Sequence, residues 1–248
     1  MTTRIEWCQE TWNPITGCTP VSEGCQHCYA KRMANRLRGR FGYPKDEPFR
    51  PGTFHPDKID INLFGPDKHV FVCSMGDFFH EAVTREMKED VYRVIEDHPD
   101  TFFLFLTKRP ENVMSYWIGN RPNVWIGVTA ESDKYLWRID ELLKIPAAVR
   151  FVSVEPMLGP VDFNEREYLI DKRRFKYTIG RYLDWVICGG ETGPGARTMQ
   201  PEWARSLRDQ CSEVGTPFFF KHWGGWRKTG GYRVLDGREW NEYPGGKI

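Results

Sequence analysis

The sequence predicts an α/β protein built on a complete or partial (β/α) barrel of about six to seven parallel strands. Short apolar runs alternate with helix-periodic segments along the chain, which is typical of parallel βαβ repeats. Almost every apolar run ends in a cluster of polar residues, as strands do at the catalytic face of a barrel. The 248 residues suit one domain of this kind. A doubly wound open sheet is the alternative that the same alternation allows.

The first elements flank a loop that contains three cysteines. A short strand is predicted over Thr11–Thr16, and a helix over Ala30–Arg40 with Met33 and Leu37 on one face. The other face of this helix is basic and comprises Lys31, Arg32, Arg36, Arg38 and Arg40. Such a face is usually only solvated, and contact with phosphate is the functional alternative. Residues 42–66 are rich in proline, glycine and aspartate, which predicts a loop.

The regular alternation begins after this loop. Apolar runs of strand length occupy 70–74, 101–106, 124–128 and 150–154. A helix is predicted over Arg85–His98 with Thr84 as its N-cap, because its apolar residues recur at helical spacing. A further helix has its apolar residues at Leu136, Ile139, Leu142 and Leu143.

Residues 160–182 interrupt the alternation and predict an insertion or a long hairpin that includes a basic run at 172–176. The pattern resumes with a strand at 184–188 and ends with a last strand at 217–220. Between them a helix is predicted from Pro201, with Trp203, Leu207, Cys211 and Val214 in register. The predicted barrel domain therefore covers residues 1–223. The glycine-rich and aromatic residues 224–248 form a predicted extension or flap packed on it.

Composition narrows the class of protein. The net charge is +1, so no global basic field marks the chain as a nucleic-acid binder. No stretch approaches 18 apolar residues and the N-terminus lacks the apolar core of a signal peptide, which predicts a cytoplasmic protein without membrane contact. We also expect a monomer. Seven cysteines, an odd number, argue against a complete disulfide framework.

Three of these cysteines, Cys18, Cys25 and Cys28, lie close together with the spacing C-x6-C-x2-C. A structural zinc site would need a fourth ligand, for which Cys8, His27 or His222 are candidates. An iron–sulfur cluster held by three thiolates would leave one iron open to another ligand. Incidental packing of three cysteines is the third interpretation. The position after the first predicted strand, at the catalytic face of a barrel, favours the cluster.

The cysteine loop, with Tyr29 directly after it, resembles the cluster loop of radical S-adenosylmethionine (SAM) enzymes. In more detail, the chain resembles the phage-associated three-cysteine-motif family, which is radical-SAM-like. The matching segments span nearly the whole chain and are Trp12–Cys18, Ser153–Pro160, Cys188–Arg197 and Phe218–Gly224. One departure is the six residues between Cys18 and Cys25, where the commonest radical SAM loop has three.

The resemblance implies a [4Fe-4S] cluster held by the three cysteines, whose open iron chelates the amino and carboxylate groups of SAM. One electron from the cluster cleaves SAM to methionine and a 5′-deoxyadenosyl radical, which abstracts a substrate hydrogen. The implied partner is an electron donor of the flavodoxin or ferredoxin type. The cofactor performs the difficult chemistry, and the protein orients SAM and excludes competing reactions.

Positions at the strand ends predict the groups that bind SAM. Gly76 permits close backbone approach and Asp77 can accept from an ammonium group, while Lys108 can neutralise a carboxylate or phosphate, as can Arg109. The predicted cofactor-binding residues are Ser74, Met75, Gly76, Asp77, Lys108, Thr129, Glu131, Ser132 and Arg197. Within this set, Thr129, Glu131 and Ser132 are assigned to the ribose hydroxyls.

The substrate side is predicted at the later strand ends, with Glu155, Glu191 and Lys221 as catalytic residues. The alternative is that the two glutamates only pair with Arg197 or Lys221 and stabilise the rim. Glycines 189, 190, 193 and 195 are a weak phosphate-loop signal. Trp223, Trp226 and Trp240 either stack a base or pack the flap.

The predicted function is radical SAM chemistry on a nucleic-acid base or nucleotide, such as phage DNA modification or repair of a base lesion. A base in duplex DNA would have to be extruded to be reached. A small-molecule or peptide substrate stays open. The alternative function is a zinc-binding nucleic-acid interaction module without catalysis. A metal-free hydrolase is poorly supported, because no nucleophile–base pair is visible.

Overall fold

The structure is a computed structural model that describes residues 5–59, 65–117, 119, 121–163, 166–170, 173–177, 179–226 and 232–246. Within these residues the strands, in chain order, are β1 (Glu10–Trp12), β2 (Ile15–Thr16), β3 (Thr53–Phe54), β4 (His69–Val72), β5 (Phe102–Thr107), β6 (Val124–Thr129), β7 (Val149–Val154), β8 (Arg166–Ile170), β9 (Arg173–Tyr177), β10 (Trp185–Gly189), β11 (Phe218–His222), β12 (Val234–Leu235) and β13 (Arg238–Glu239). The α-helices of the same residues are α1 (Tyr29–Arg36), α2 (Arg85–Glu96), α3 (Trp137–Leu143) and α4 (Pro201–Val214). Short 3-10 helices lie at Glu23–Cys25, Pro56–Lys58, Pro110–Ser115, Asp133–Tyr135 and Ile179–Tyr182.

Seven strands form one parallel sheet in the order β1-β4-β5-β6-β7-β10-β11, which confirms the predicted partial (β/α) barrel. The strands are short and apolar because both faces of a parallel sheet are covered. All six residues of β6 and all five of β10 are buried. Strand β5, for example, places Phe103, Leu104 and Phe105 at 0% exposure.

The chain divides into two compact units. The first comprises residues 1–128 and 145–148, with the terminal residue 248, and the second comprises 129–144 and 149–247. The first unit contains strands β1 to β5 and nearly all of β6, and the second contains β7 to β13. The domain boundary predicted between 223 and 224 therefore falls inside the second unit.

Helix α1 differs from its prediction in length and in the exposure of Met33, whereas Leu37 packs against the buried residues of the helix as predicted. It ends at Arg36 rather than Arg40, and its buried residues are Ala30 and Ala34, which pack with Tyr43 and Met75. Met33 was expected on the apolar face, but it is 41% exposed. Small alanines allow the helix to lie close to the loop after β4, and this close packing turns Met33 outward.

Helix α2 follows its prediction closely. The Thr84 hydroxyl caps it by accepting from the Met87 backbone N–H, and Val91, Val94 and Ile95 are buried. Such a cap contributes about 1 kcal/mol, because it satisfies one of the N–H groups left unpaired in the first helical turn.

In the second unit, residues 160–182 contain the antiparallel hairpin β8–β9, which agrees with the hairpin alternative of the prediction. The side chains of the basic run at 172–176 lie outside the described residues. Helix α4 starts at Pro201, buries Leu207 and Cys211 as predicted, and ends at Gly215 in the left-handed conformation. A left-handed C-terminal residue favours glycine because it has no Cβ.

The C-terminal extension packs on the second unit through backbone and indole hydrogen bonds. Trp223 and Trp240 donate their indole N–H groups to the carbonyls of Val234 and Leu235, so both tryptophans pack the extension rather than present a free ring. Trp226 differs, because 72% of its surface is exposed. Residues 227–231 of the extension lie outside the described part of the chain.

His69 predicts a pH dependence of stability for this fold. Burial between Phe102 and Trp125 lowers its pKa to about 4, against the weaker opposing effect of Asp67. The unfolded chain takes up this proton near pH 6.5 and the folded chain does not, so stability falls as the pH falls from 7 to 4. We expect a loss of about 2 kcal/mol between pH 7 and pH 5 from this residue alone.

Urea denaturation at the two pH values measures this effect. His69→Phe keeps the ring stacking and removes the titrating group, so its pH dependence should be smaller than that of the wild type by about the same 2 kcal/mol. An equal pH dependence in the variant and the wild type would contradict the assignment.

Candidate cofactor site

The cysteine loop docks on the end of strand β4 through two glycines. Gly17 and Gly76 form a parallel bridge, and the Gly17 N–H donates to the Met75 carbonyl at 3.0 Å. A Cβ on Gly76 would lie 2.9 Å from the Gly17 oxygen, and one on Gly17 would lie 1.8 Å from the Arg50 oxygen. Only glycine fits at either position. Gly76 was predicted to allow a ligand to approach the backbone closely. In the structure, the group that approaches it is Gly17 of the cysteine loop.

Two side chains fasten the same contact. The Asn13 Oδ1 accepts from the Ser74 hydroxyl at 3.2 Å and from the Met75 N–H at 2.8 Å. The Tyr29 hydroxyl donates to the Ser74 carbonyl. The loop after β4 is therefore held on one side by the residue after Trp12 and on the other by the first residue of α1.

Cys18 lies beside a buried guanidinium group. Arg109 is 3% exposed, and its Nη1 is 3.3 Å from the Cys18 sulfur and 3.3 Å from Asp77 Oδ2. Its Nη2 donates to the Thr19 carbonyl at 3.0 Å and to the Thr19 hydroxyl at 2.7 Å. Burial, reinforced by Asp77, raises the pKa of the Cys18 thiol to about 12, although Arg109 opposes this. Loss of that thiol proton would accompany metal binding, because the thiolate is the ligand.

Asp77 is 5% exposed and organises the turn around Arg109. Its Oδ1 accepts from the Thr107 hydroxyl at 2.8 Å and from the Phe79 N–H at 3.1 Å, and its Oδ2 accepts from the Lys108 N–H at 3.3 Å. The carboxylate predicted to receive the amino group of SAM is therefore engaged with protein donors in this structure. Its role toward SAM stays a prediction.

A histidine supports the loop from the other side. The Nδ1 atom of His80 accepts from the Ala82 N–H at 3.0 Å, so the ring proton is on Nε2 and donates to the Thr19 hydroxyl, 2.9 Å away. Burial and the nearby Arg109 charge lower the pKa of His80, which keeps this neutral form. Thr19, directly after Cys18, is thus held by Arg109 and His80 together.

Cys25 has a different electrostatic environment from Cys18. Burial raises the pKa of the Cys25 thiol, but the charge of Lys108 and hydrogen bonds from Ser22 and the backbone near Val21 outweigh it, and the net shift is downward. The Lys108 ammonium lies 3.5 Å from the Ser22 hydroxyl, which is 3.5 Å from the Cys25 sulfur. Cys28, the third cysteine, is the N-cap residue of α1.

The described side chains do not form a site for a single metal ion. Among the residues that the structure describes, no three His, Cys, Asp or Glu side chains converge closely enough to hold a single metal ion. Structural zinc needs four ligands within about 2.3 Å of one ion, so a preformed zinc site is absent from this part of the chain. Each thiolate of an iron–sulfur cluster binds a different iron, so the three sulfurs surround the cluster rather than one ion. The three cysteines lie on one loop and have the donor chemistry for such a cluster, and Arg109 and Lys108 lie beside the loop, but its assembly there stays a prediction.

In the second unit, Glu131 forms a fully buried ion pair. Glu131 is 0% exposed and its Oε2 lies 2.8 Å from the Nη1 of Arg138, which is 1% exposed. The same Nη1 donates to the Thr129 carbonyl at 2.9 Å, and the guanidinium lies over the Tyr135 ring. Thr129 and Glu131, predicted to bind ribose hydroxyls, are buried. Ser132 is only partly buried. It packs closely against Gly159, since a Cβ added to that glycine would lie 3.1 Å from the Ser132 Cβ.

Glu155 and Lys221 come together at the ends of β7 and β11. The Lys221 ammonium lies 2.7 Å from Glu155 Oε1, and the Nε2 of His222 lies 3.5 Å from the same oxygen. Gly189 allows this arrangement, because a Cβ there would lie 3.2 Å from the Glu155 carboxyl carbon. His222 is a member of this group that the sequence analysis did not assign to it.

Glu191 and Arg197 form a separate, bidentate pair. Glu191 Oε2 accepts from both the N–H and the Nε of Arg197 at 2.9 Å, and its Oε1 accepts from Nη2. The backbone segments that follow β10 and β11 approach each other closely, since a Cβ on Gly190 would lie 2.1 Å from the Trp223 oxygen and one on Gly224 would lie 2.3 Å from the Glu191 oxygen. The pairings expected under the rim-stabilising alternative are therefore both present, and a catalytic role for these glutamates stays a prediction.

The sequence missed the residues that contact the cysteines from a distance in the chain. Arg109 and Cys18 are 91 positions apart, and His80 and Thr19 are 61 apart. The only available signal was that Lys108 and Arg109 close a predicted strand, which gave them a role toward an anionic ligand. In the structure, their nearest partners are the cysteine loop and Asp77.

Fold and site together define an α/β protein on a partial (β/α) barrel, with a three-cysteine loop docked at a strand end. A family model described as "Protein of unknown function (DUF5131)" matches residues 2–244, so the chain belongs to that family. Comparisons with curated proteins and with solved structures found no match. Among the described residues, no helix combines the length and apolar character needed to cross a membrane.

Proposed function

We propose that this protein is a radical SAM enzyme that holds a [4Fe-4S] cluster on Cys18, Cys25 and Cys28 and acts on a nucleic-acid base or nucleotide. The observation that carries this proposal is the position of Cys18, fixed at the end of β4 by the Gly17–Gly76 bridge and contacted by Arg109. When bound, such a cluster supplies the electron that cleaves SAM to methionine and a 5′-deoxyadenosyl radical.

The chain's own residues would support this chemistry in two ways. Arg109 places a buried positive charge on the Cys18 sulfur, and Lys108 places another near Cys25. Positive charge beside thiolates lowers the cost of collecting several negative sulfurs in one loop. Hydrogen bonds to cluster sulfurs are also among the factors that set the reduction potential. Arg109 is accordingly a positioning residue for the proposed cluster. Its positive charge would stabilise the Cys18 thiolate that forms when the cluster binds, whereas the free thiol is neutral.

The residues proposed for the substrate lie in the second unit. Glu155 and Lys221, with His222 beside them, form a polar group at two strand ends, and Ser132 is a partly buried polar residue after β6. We keep Glu155, Glu191 and Lys221 as proposed catalytic residues. Ser74, Met75, Gly76, Asp77, Lys108, Thr129, Glu131, Ser132 and Arg197 remain proposed for SAM.

Anaerobic purification followed by incubation with SAM and dithionite tests the proposal. We expect a brown protein with about four iron atoms per chain that releases 5′-deoxyadenosine. Supplying a chemical reductant makes the result independent of the physiological electron donor. A colourless protein that retains one zinc ion per chain after iron reconstitution and leaves SAM intact would reject the proposal in favour of the zinc-binding module.

A further inference from the structure

Positive charge is concentrated beside the cysteine loop. Residues 24–45 contain six lysines and arginines and no aspartate or glutamate, whereas the whole chain has a net charge of only +1. Lys31, Arg36, Arg38 and Arg40 are all exposed. The next acidic residues along the chain, Asp46 and Glu47, are paired with Arg50. The segment therefore presents a local basic surface that the overall composition hides.

Hydrogen bonds order this surface without neutralising it. Arg38 donates to the carbonyls of Lys45 at 2.7 Å and Asp46 at 3.2 Å, and Arg40 donates to the Arg36 carbonyl. These acceptors are neutral backbone oxygens, so the guanidinium groups are positioned but keep their charge. Helix α1 ends at Arg36, and the hydrogen bond from Arg40 to the Arg36 carbonyl keeps these two exposed arginines close together.

Phe41 stands out within this basic surface. It is 74% exposed, the highest value among the large hydrophobic residues of the described chain, and its φ is +53°. A bulky residue in the left-handed region is strained by about 1–2 kcal/mol. The turn that holds it is closed by hydrogen bonds between Gly39 and Tyr43 and between Tyr43 and Arg40. Burial in the chain's own core does not account for this strained, outward aromatic ring.

We propose that the surface formed by Lys31, Arg36, Arg38, Arg40 and Phe41 binds a single-stranded polynucleotide, with the cations on its phosphates and Phe41 stacked on a base. Grooves for single strands combine positive charge with aromatic rings in this way. The inference deepens the proposed function, on which it rests for its place in catalysis, by assigning the substrate class to a polynucleotide rather than a free nucleotide.

An acidic protein is the competing occupant of such a surface. The ring of Phe41 decides between them, because every nucleobase offers a flat face for stacking beside its phosphate. Carboxylates would satisfy the arginines equally well but would leave the strained ring without a partner. Tyr29 and Met33 on the preceding helix α1, exposed at 47% and 41%, add apolar area next to the basic residues.

Binding of a fluorescein-labelled single-stranded DNA of about twelve nucleotides, followed by anisotropy, tests this inference. The metal-free protein is used, so the result does not depend on cluster assembly. We expect the logarithm of the affinity to fall with the logarithm of salt concentration, with a slope of about −0.7 per phosphate contact. Arg36→Glu combined with Arg40→Glu should weaken binding at least tenfold. The salt dependence should become less steep by the amount that corresponds to the loss of about one to two phosphate contacts.

Two further variants test the contribution of the Phe41 ring and the effect of reversing an arginine charge elsewhere on the surface. Phe41→Asn should weaken binding about fivefold or more without lowering Tm, because asparagine tolerates a positive φ better than phenylalanine does. Arg93→Glu, at an exposed arginine of α2, is the matched control and should bind like the wild type.

The inference is overturned if Phe41→Asn binds the DNA as tightly as the wild type, or if polyglutamate competes as well as an unlabelled strand of equal charge. The latter result would identify a surface for acidic proteins. If the DNA does not bind but the reconstituted protein still cleaves SAM, only this inference fails. If the DNA binds as expected and no cluster forms, the proposed function fails and the binding surface stands.

Discussion

Replacing Cys25 with alanine is expected to reduce the iron content from about four atoms per chain to near zero, with loss of the visible absorption of the cluster. Cys25 is the cysteine whose pKa is lowered by Lys108 and Ser22, so it is the thiol best prepared to act as a thiolate ligand. Its side chain lies on the loop and fills no core position, so the fold should persist.

Cys211→Ala is the matched control for this change. Cys211 is fully buried in α4, and burial raises its pKa, so we expect it to be a core residue that binds no metal. Iron content and visible spectra of the two variants, purified side by side without oxygen, measure the difference, and circular dichroism checks that both are folded. A full iron complement in Cys25→Ala, or equal loss in both variants, would remove the ligand assignment.

Replacing Glu131 with alanine is expected to destabilise the protein by about 3–5 kcal/mol. The change leaves the guanidinium of Arg138 without its counter-ion at 1% exposure, and an uncompensated buried charge is far more costly than the ion pair is stabilising. The remaining contacts of Arg138, to the Thr129 carbonyl and the Tyr135 ring, are neutral and do not replace the carboxylate. Chemical denaturation gives the change in free energy of unfolding.

The double variant Glu131→Leu with Arg138→Met tests whether the pair is only structural. Apolar residues of similar volume often restore the stability lost when one ion of a buried pair is removed. We therefore expect most of the loss to be recovered. SAM binding by the stable double variant then tests the predicted ribose contact, because that contact requires the Glu131 carboxylate. Unchanged SAM affinity would show that Glu131 has no ligand role.

One buried network in the first unit connects the cysteine loop to two strand ends. Asp77, Arg109 and Thr107 lie at the ends of adjacent strands, and they hold Thr19 and Cys18 through Arg109. A buried charge pair of this kind is costly to desolvate and is poor evidence for stability alone. Under the proposed function, its position against the Cys18 sulfur would allow Arg109 to compensate the negative charge of a thiolate ligand.

Local patterns were sufficient for much of the fold. Strand positions followed from short apolar runs, α2 from its helical spacing and Thr84 cap, and α4 from Pro201 and the register of Leu207 and Cys211. On helix α1, Leu37 packs against the buried alanines as its spacing predicted, but Met33 is exposed, because the alanines pack on a loop whose path the sequence does not reveal. Arg138 was overlooked because arginine is rarely fully buried unless it is paired.

The sequence by itself determined the parallel α/β architecture and the three closely spaced cysteines, because periodicity and spacing are set by neighbours in the chain. Only the tertiary structure decided that Gly76 meets Gly17 and that Arg109 contacts Cys18 across 91 positions. These contacts depend on the register between strands and on loop paths. These contacts require atoms from distant parts of the chain to come within a few ångströms of each other, and no local sequence pattern encodes that.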